Sequence, residues 1–198
     1  MTGAVVDRSD SRQSGFTLVE LLVYMALFLL VLVIAGGLLL NGLRAQETVG
    51  SVTSAANVGQ QIVRSVQTGV RNASEMTLIP NDVTGTQLLV IKEVSIDPDS
   101  TATSCQAWYY TPANGGSVYS MRTSGSPISL PAGGPSGAWS LLGQGVSPKD
   151  AATGRVLNAP AGGRVELRFT VKAGNHPYVL IDTTIYAPQS TAGATCFL

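Results

Sequence analysis

The sequence predicts an α+β protein: a long N-terminal helix, transmembrane in its first half and amphipathic in its second, packed on an antiparallel β-sheet head. Three observations predict it. Residues 21–40, LLVYMALFLLVLVIAGGLLL, run for twenty positions without a charge. Beyond them, apolar residues recur at three- and four-residue steps as far as Val70. From Thr77 onward the pattern turns to short apolar or alternating runs separated by Gly, Pro and Asn, as strands and turns require.

The charge-free run, at 1.5 Å per residue, reaches roughly 30 Å, the thickness of a bilayer core. A core helix of a globular domain is seldom apolar on every face for that distance. A secretory signal has a shorter apolar stretch, about 7–15 residues, ending in a small-residue cleavage site. Here polar residues at helical spacing follow instead, so the segment reads as retained. Arg8 and Arg12 precede it and favour a cytoplasmic N-terminus, a bias that Arg44 on the far side reduces.

The helix then continues as an amphipathic extension. Val52, Ala56, Gly59, Val63, Val66 and Val70 form an apolar stripe that Ile62 widens, with Gln60, Gln61, Arg64, Gln67 and Arg71 among the polar positions. It should end near residues 72–76, ahead of Pro80. Val and Ala in place of a sustained Leu heptad argue against a coiled coil. A continuous helix over residues 17–73 would be roughly 85 Å long.

Strands are expected at residues 87–91, 106–110 and 117–122, the last two joined as a hairpin across Asn114-Gly115-Gly116. Residues 164–172 alternate polar and apolar throughout, which describes a strand half buried and half wet. Residues 178–186 return after Ala173-Gly174-Asn175 as its antiparallel partner. Residues 124–138, rich in Gly, Pro and Ser and free of charge, read as a surface loop ordered by Pro127, Pro131 and Pro135.

Charge excludes several functions. The 198 residues are 44% hydrophobic and 12% charged, with 12 basic and 12 acidic side chains. A protein that neutralises nucleic-acid phosphates is usually basic, and a disordered tail is charged and poor in apolar residues. Arg164, Arg168 and Lys172 share one strand face with Glu166, which reads first as a solvated face and only secondarily as a contact for DNA or an anionic surface. No catalytic constellation is present: His176, before Pro177, is the one histidine and reads as a turn residue, and Gly-x-Ser-x-Gly, HExxH and CxxC patterns are absent. Asp97-Pro98-Asp99-Ser100 lacks the six or more oxygens of a calcium loop and reads as a solvated turn. No enzyme activity, metal or cofactor is expected. Cys105 and Cys196 both follow the span, where an oxidising exterior favours a disulfide over two buried thiols.

The N-terminal anomaly is Glu20. It stands one turn into the apolar segment, where an ionised carboxylate is costly unless paired. Either it sits at headgroup level and complements the helix N-terminal dipole, or it awaits a cationic partner, and no Lys or Arg lies within helical reach. Gly15-Phe16-Thr17-Leu18-Val19-Glu20 followed by the long apolar run resembles the N-terminal signature of type IV prepilins and pseudopilins, closely over residues 10–45.

The resemblance implies a four-part chain: a leader, residues 1–15; a transmembrane and filament-core helix, 16–43; an amphipathic extension, 44–75; and a β-rich head, 76–198. It implies that a prepilin peptidase cuts after Gly15 on the cytoplasmic side and methylates the new amine of Phe16. Glu20 would pair with the N-terminal amine of a neighbouring subunit during assembly. Major pilins usually carry a helix-breaking Pro about twenty residues after the cleavage site; here the neighbourhood is Ala35-Gly36-Gly37-Leu38. Gly36 and Gly37 supply either flexibility or close helix packing. That departure points to a minor pilin, priming or tip-associated, with a pseudopilin of a type II secretion or DNA-uptake machine as the alternative. A third reading is a filament-borne adhesin or DNA-binding module that uses the nearly uncharged residues 100–148. Implied partners are the lipid bilayer before assembly, the inner-membrane assembly platform and other pilin subunits of a hetero-oligomeric filament. The protein would be a single-pass protein of the bacterial cytoplasmic membrane with its head outside, and later part of an extracellular or envelope-spanning filament.

Overall fold

The computed structural model describes residues 17–81, 83–93, 104–131, 133–160, 163–187, 191–193 and 195–198. By internal contacts the chain divides into two compact units, one ending at Glu47 and the other beginning at Thr48. Helix α1 spans Leu18–Arg71.

In the first unit α1 is apolar on every face from Leu21 to Leu40 and turns polar over its last few residues. Residues 21–47 are exposed at every position, and the helix is long and apolar enough to cross a membrane by length and composition. Such a surface is stable only where something other than water covers it.

In the second unit α1 is amphipathic, and its deepest line is Ala55, Gly59, Ile62, Val66, Gly69 and Val70. This line runs beside the expected stripe: Ala55 replaces Ala56 at its base, and Val52 and Val63 are partly buried flanks. The helix stops at Arg71, and strand β1 (Ala73–Asn81) begins two residues later. Helix was expected as far as residues 72–76. Pairing with β2 (Thr86–Glu93) claims that stretch instead: Ala73 is buried, Ser74 Oγ donates to the Lys92 carbonyl at 3.2 Å, and Glu75 lies opposite Lys92.

The remaining strands are β3 (Ser104–Thr111), β4 (Ser117–Ser124), β5 (Ser140–Gln144), β6 (Val146–Pro148), β7 (Leu157–Asn158), β8 (Arg164–Ala173), β9 (His176–Tyr186) and β10 (Thr191–Ala192). They form two sheets. The first has the order β10-β1-β2-β3-β4-β5, antiparallel except for a parallel β10–β1 edge. In the second, β6 and β7 pair with successive stretches of β8, and β9 pairs with nearly its whole length. All five strands read from the sequence are present. The β3–β4 connection passes through a 3-10 turn at Ala113–Gly115. Gly116 follows with φ +86°, and a Cβ there would lie 1.7 Å from the Val146 carbonyl oxygen, so only glycine fits. His176 is the first residue of β9, just past the Gly174-Asn175 turn, and pairs with Ala173.

The main core joins α1 to both sheets. Ile62, Val66 and Val70 meet Leu89, Ile91, Trp108 and Tyr110 of the first sheet and Val165, Leu167, Phe169 and Val171 of the second. A second cluster covers the opposite face of the first sheet and contains Leu88, Val90, Ala107, Tyr109, Ile128, Cys105 and Cys196. Burial on both faces explains why β2 reads as an unbroken apolar run rather than an alternating one. The stretch 124–138 is largely an exposed loop, as the sequence suggested, but Ile128 within it enters this second cluster. Ile128 is wholly buried, and its N–H donates to the Cys196 carbonyl at 2.7 Å. Trp139 packs at a tilt against Tyr109, with ring centroids 5.8 Å apart.

Candidate assembly site

Thr17 is the N-cap of α1. Its Oγ1 accepts the Glu20 N–H at 3.3 Å, satisfying one of the donors that a helix start leaves without a partner. Thr17-Leu18-Val19-Glu20 therefore has the spacing of a capping box. The Glu20 carboxylate also engages further along the helix: the Tyr24 hydroxyl donates to its Oε1 at 3.1 Å. Four residues make one helical turn, so the two side chains share a face. Thr17 and Tyr24 were not singled out from the sequence. The Thr-x-x-Glu spacing and the one hydroxyl within residues 21–40 were the signals available.

Gly15 and Phe16 lie outside the described residues, as does the rest of segment 1–15. Gly36 and Gly37 lie inside α1, which continues as helix through both. A Cβ at either position would meet nothing within 4 Å.

Cys105 and Cys196 are joined as a disulfide, with Cα atoms 5.6 Å apart. It is one of several ties on the C-terminal segment. Glu75 Oε2 accepts from the Thr195 hydroxyl at 2.5 Å and from its N–H at 3.3 Å, and the Thr77 hydroxyl donates to the Gly193 carbonyl. Lys92 Nζ lies 3.2 Å from Glu75 Oε1. The Thr195 hydroxyl, and then Lys92, hold the Glu75 carboxyl below the usual glutamate value.

The basic stripe on β8 is mixed with acid. Glu166 lies 3.7 Å from Arg164 Nε and 3.6 Å from Arg168 Nη2. Asp182 on β9 lies 2.6 Å from Lys149 Nζ and 3.5 Å from Arg168 Nε. Lys149, followed by Arg168, holds the Asp182 carboxyl below its ordinary range. A cleft of about 550 Å³ opens beside these groups, lined by Lys149, Asp150, Thr153, Arg155, Val156, Asn158 and Arg168. An incoming anion would compete there with carboxylates already in place. Arg122, the one charge within residues 100–148, pairs with Glu93 at 2.7 Å. Among the described residues no group of three or more His, Cys, Asp or Glu is placed to hold a metal. The Asp97-Pro98-Asp99-Ser100 turn lies outside them.

Residues 10–36 match the family model of the prokaryotic N-terminal methylation motif. That match takes in Gly15, Phe16, Glu20 and most of the apolar run. It supports a type IV prepilin-like family and a type IV pilin-like subunit, a kind of protein that is typically structural. No curated protein and no solved structure matches the chain. An apolar N-terminal helix with this motif fits membrane anchoring followed by residence in a surface filament.

Proposed function

We propose that this protein is a minor, priming or tip-associated subunit of a type IV pilus-like filament. Prepilin peptidase cuts it after Gly15 and methylates Phe16. The observation that carries the reading is the arrangement of α1. A carboxylate sits in the first turn, and residues 21–43 behind it are uncharged and exposed on every side. Lipid covers this surface before assembly, and neighbouring helices cover it afterwards. In the filament, Glu20 meets the N-terminal amine of an adjacent subunit. Each charge compensates the other in a medium of low dielectric, and losing one strands its partner. Gly36 and Gly37 admit close approach of those helices or a local bend. The disulfide supports a head exported to an oxidising compartment.

Mass spectrometry of the mature N-terminus tests processing. N-methyl-phenylalanine at residue 16 is expected, and a mature protein that retains Met1 would overturn the reading. Glu20→Val tests the pairing. The variant should reach the membrane in normal amount but fail to enter filaments, and wild-type incorporation would sink the role given to Glu20.

A further inference from the structure

Within residues 21–40 one side chain carries a hydroxyl, Tyr24, and it stands four positions after the one carboxylate of the segment's first turn. The spacing puts both on one helix face, and the contact is made: Tyr24 Oη donates to Glu20 Oε1 at 3.1 Å. The Glu20 backbone is engaged separately, its N–H donating to Thr17 Oγ1. The residue is thus held at two points by its own helix. A carboxylate offers about four acceptor sites over two oxygens, so the phenol occupies part of this capacity and leaves Oε2 able to take another donor. In a hydrocarbon setting a carboxylate without donors is costly, and one free to sample every rotamer must be ordered when its partner arrives.

We propose that Tyr24 is a positioning residue for Glu20: its hydroxyl fixes Oε1 and presents the carboxylate, through Oε2, to the cationic amine of a neighbouring subunit. This rests on the assembly role given to Glu20 above. Tyr24 acts before and during assembly, as a hydrogen-bond donor in a segment that otherwise offers the carboxylate only apolar side chains. The aromatic ring is not the active part. Phenylalanine at this position keeps the ring and removes the donor.

The test compares full-length wild type, Tyr24→Phe and Glu20→Gln, each expressed with the remaining subunits. Three quantities are measured: amount in the membrane, methylation of Phe16, and the fraction entering sheared filaments. Tyr24→Phe should leave the first two unchanged and lower the third about tenfold, the scale of a hydrogen bond to a charged group. Infrared difference spectra of the full-length chain, carrying ¹³C-labelled glutamate, in phosphatidylethanolamine–phosphatidylglycerol vesicles should show one carboxylate stretch moving between wild type and Tyr24→Phe. A ring that serves only as packing would not move that band. Wild-type incorporation of Tyr24→Phe with Glu20→Gln impaired, or an unshifted band, overturns the positioning role and leaves the Glu20 reading intact. A fall in methylation or membrane amount in Tyr24→Phe also overturns it, by placing the hydroxyl at an earlier step. Wild-type incorporation of Glu20→Gln counts instead against the Glu20 pairing itself.

Discussion

Gly69→Ala should destabilise the head, although local helix propensity argues the opposite. In an exposed helix interior the change from glycine to alanine stabilises by about 1 kcal/mol. At Gly69 the new Cβ would lie 2.2 Å from Trp108 Cη2, and 2.8 Å from both Trp108 Cζ2 and Gln106 Oε1. Ordinary carbon contacts sit at about 3.5–4.0 Å. Trp108 has little room to yield, being wholly buried with its Nε1–H donating to Ser65 Oγ at 2.9 Å. α1 and the first sheet must therefore separate by more than an ångström, or the indole must leave its rotamer. Overpacking of this kind costs about 1–3 kcal/mol, with larger values when the backbone has to move. The 2.2 Å approach to a buried indole puts the cost in the upper part of that range, about 2–3 kcal/mol, and set against the propensity gain the net loss is about 1–2 kcal/mol. That corresponds to a fall in Tm of roughly 2–8 °C for a chain of this size. Gly50→Ala is the matched control: Gly50 lies in the same helix, is exposed, and has nothing within 4 Å of an added Cβ. Thermal unfolding of the full chain in detergent, followed by near-ultraviolet circular dichroism, should show Gly50→Ala holding or raising Tm and Gly69→Ala lowering it. A rise in both would refute the claim that the approach of Trp108 is what requires glycine at residue 69.

Other outcomes follow from the head. Replacing Cys105 and Cys196 with Ser frees a loop with a sequence separation of 91 residues, which loop-closure entropy values at about 4–5 kcal/mol. The urea midpoint should fall well below wild type, and equal midpoints would show that the other C-terminal ties suffice. Gln87→Leu removes the acceptor of the Val156 and Leu157 N–H groups, bonded at 3.1 and 2.8 Å, and the donor to the Gly154 carbonyl at 2.9 Å. Two stranded buried donors should cost about 2–4 kcal/mol in urea unfolding, and a wild-type midpoint would contradict that account. Glu75 contributes stability that is complete above the ordinary glutamate value of 4.5 and is lost as pH falls through its lower folded-state value. Glu75→Gln should therefore flatten the acid limb of the urea midpoint below about pH 4.5, and an unchanged limb would assign acid sensitivity to other carboxylates.

Some of this molecule was legible in the chain because the physics is local. A charge-free run of twenty residues specifies a helix that avoids water, whatever else the chain does. Strict alternation over residues 164–172 specifies a strand with one dry face, and β8 buries Val165, Leu167, Phe169 and Val171 as that pattern demands. Glu20 stood out because a carboxylate in an apolar segment is a local contradiction. The head was less legible, since a continuous apolar strand such as β2 shows that both faces are covered without showing by what.

The amino-acid sequence by itself determined the division into an apolar helix, an amphipathic helix and a strand-rich head, together with Glu20, the carboxylate on which assembly is proposed to turn. Each rests on periodicity, charge or spacing within about twenty residues. Tertiary structure decided what covers the sheets and what ties the ends. Residues 124–138 supply Ile128 to the second cluster. β10 adds to β1 in parallel across more than a hundred residues of chain. Arg122 finds Glu93, and Gly69 faces Trp108. Those outcomes depend on contacts between segments far apart in sequence, whose closure entropy is offset only when many form together. No local pattern encodes that cooperation.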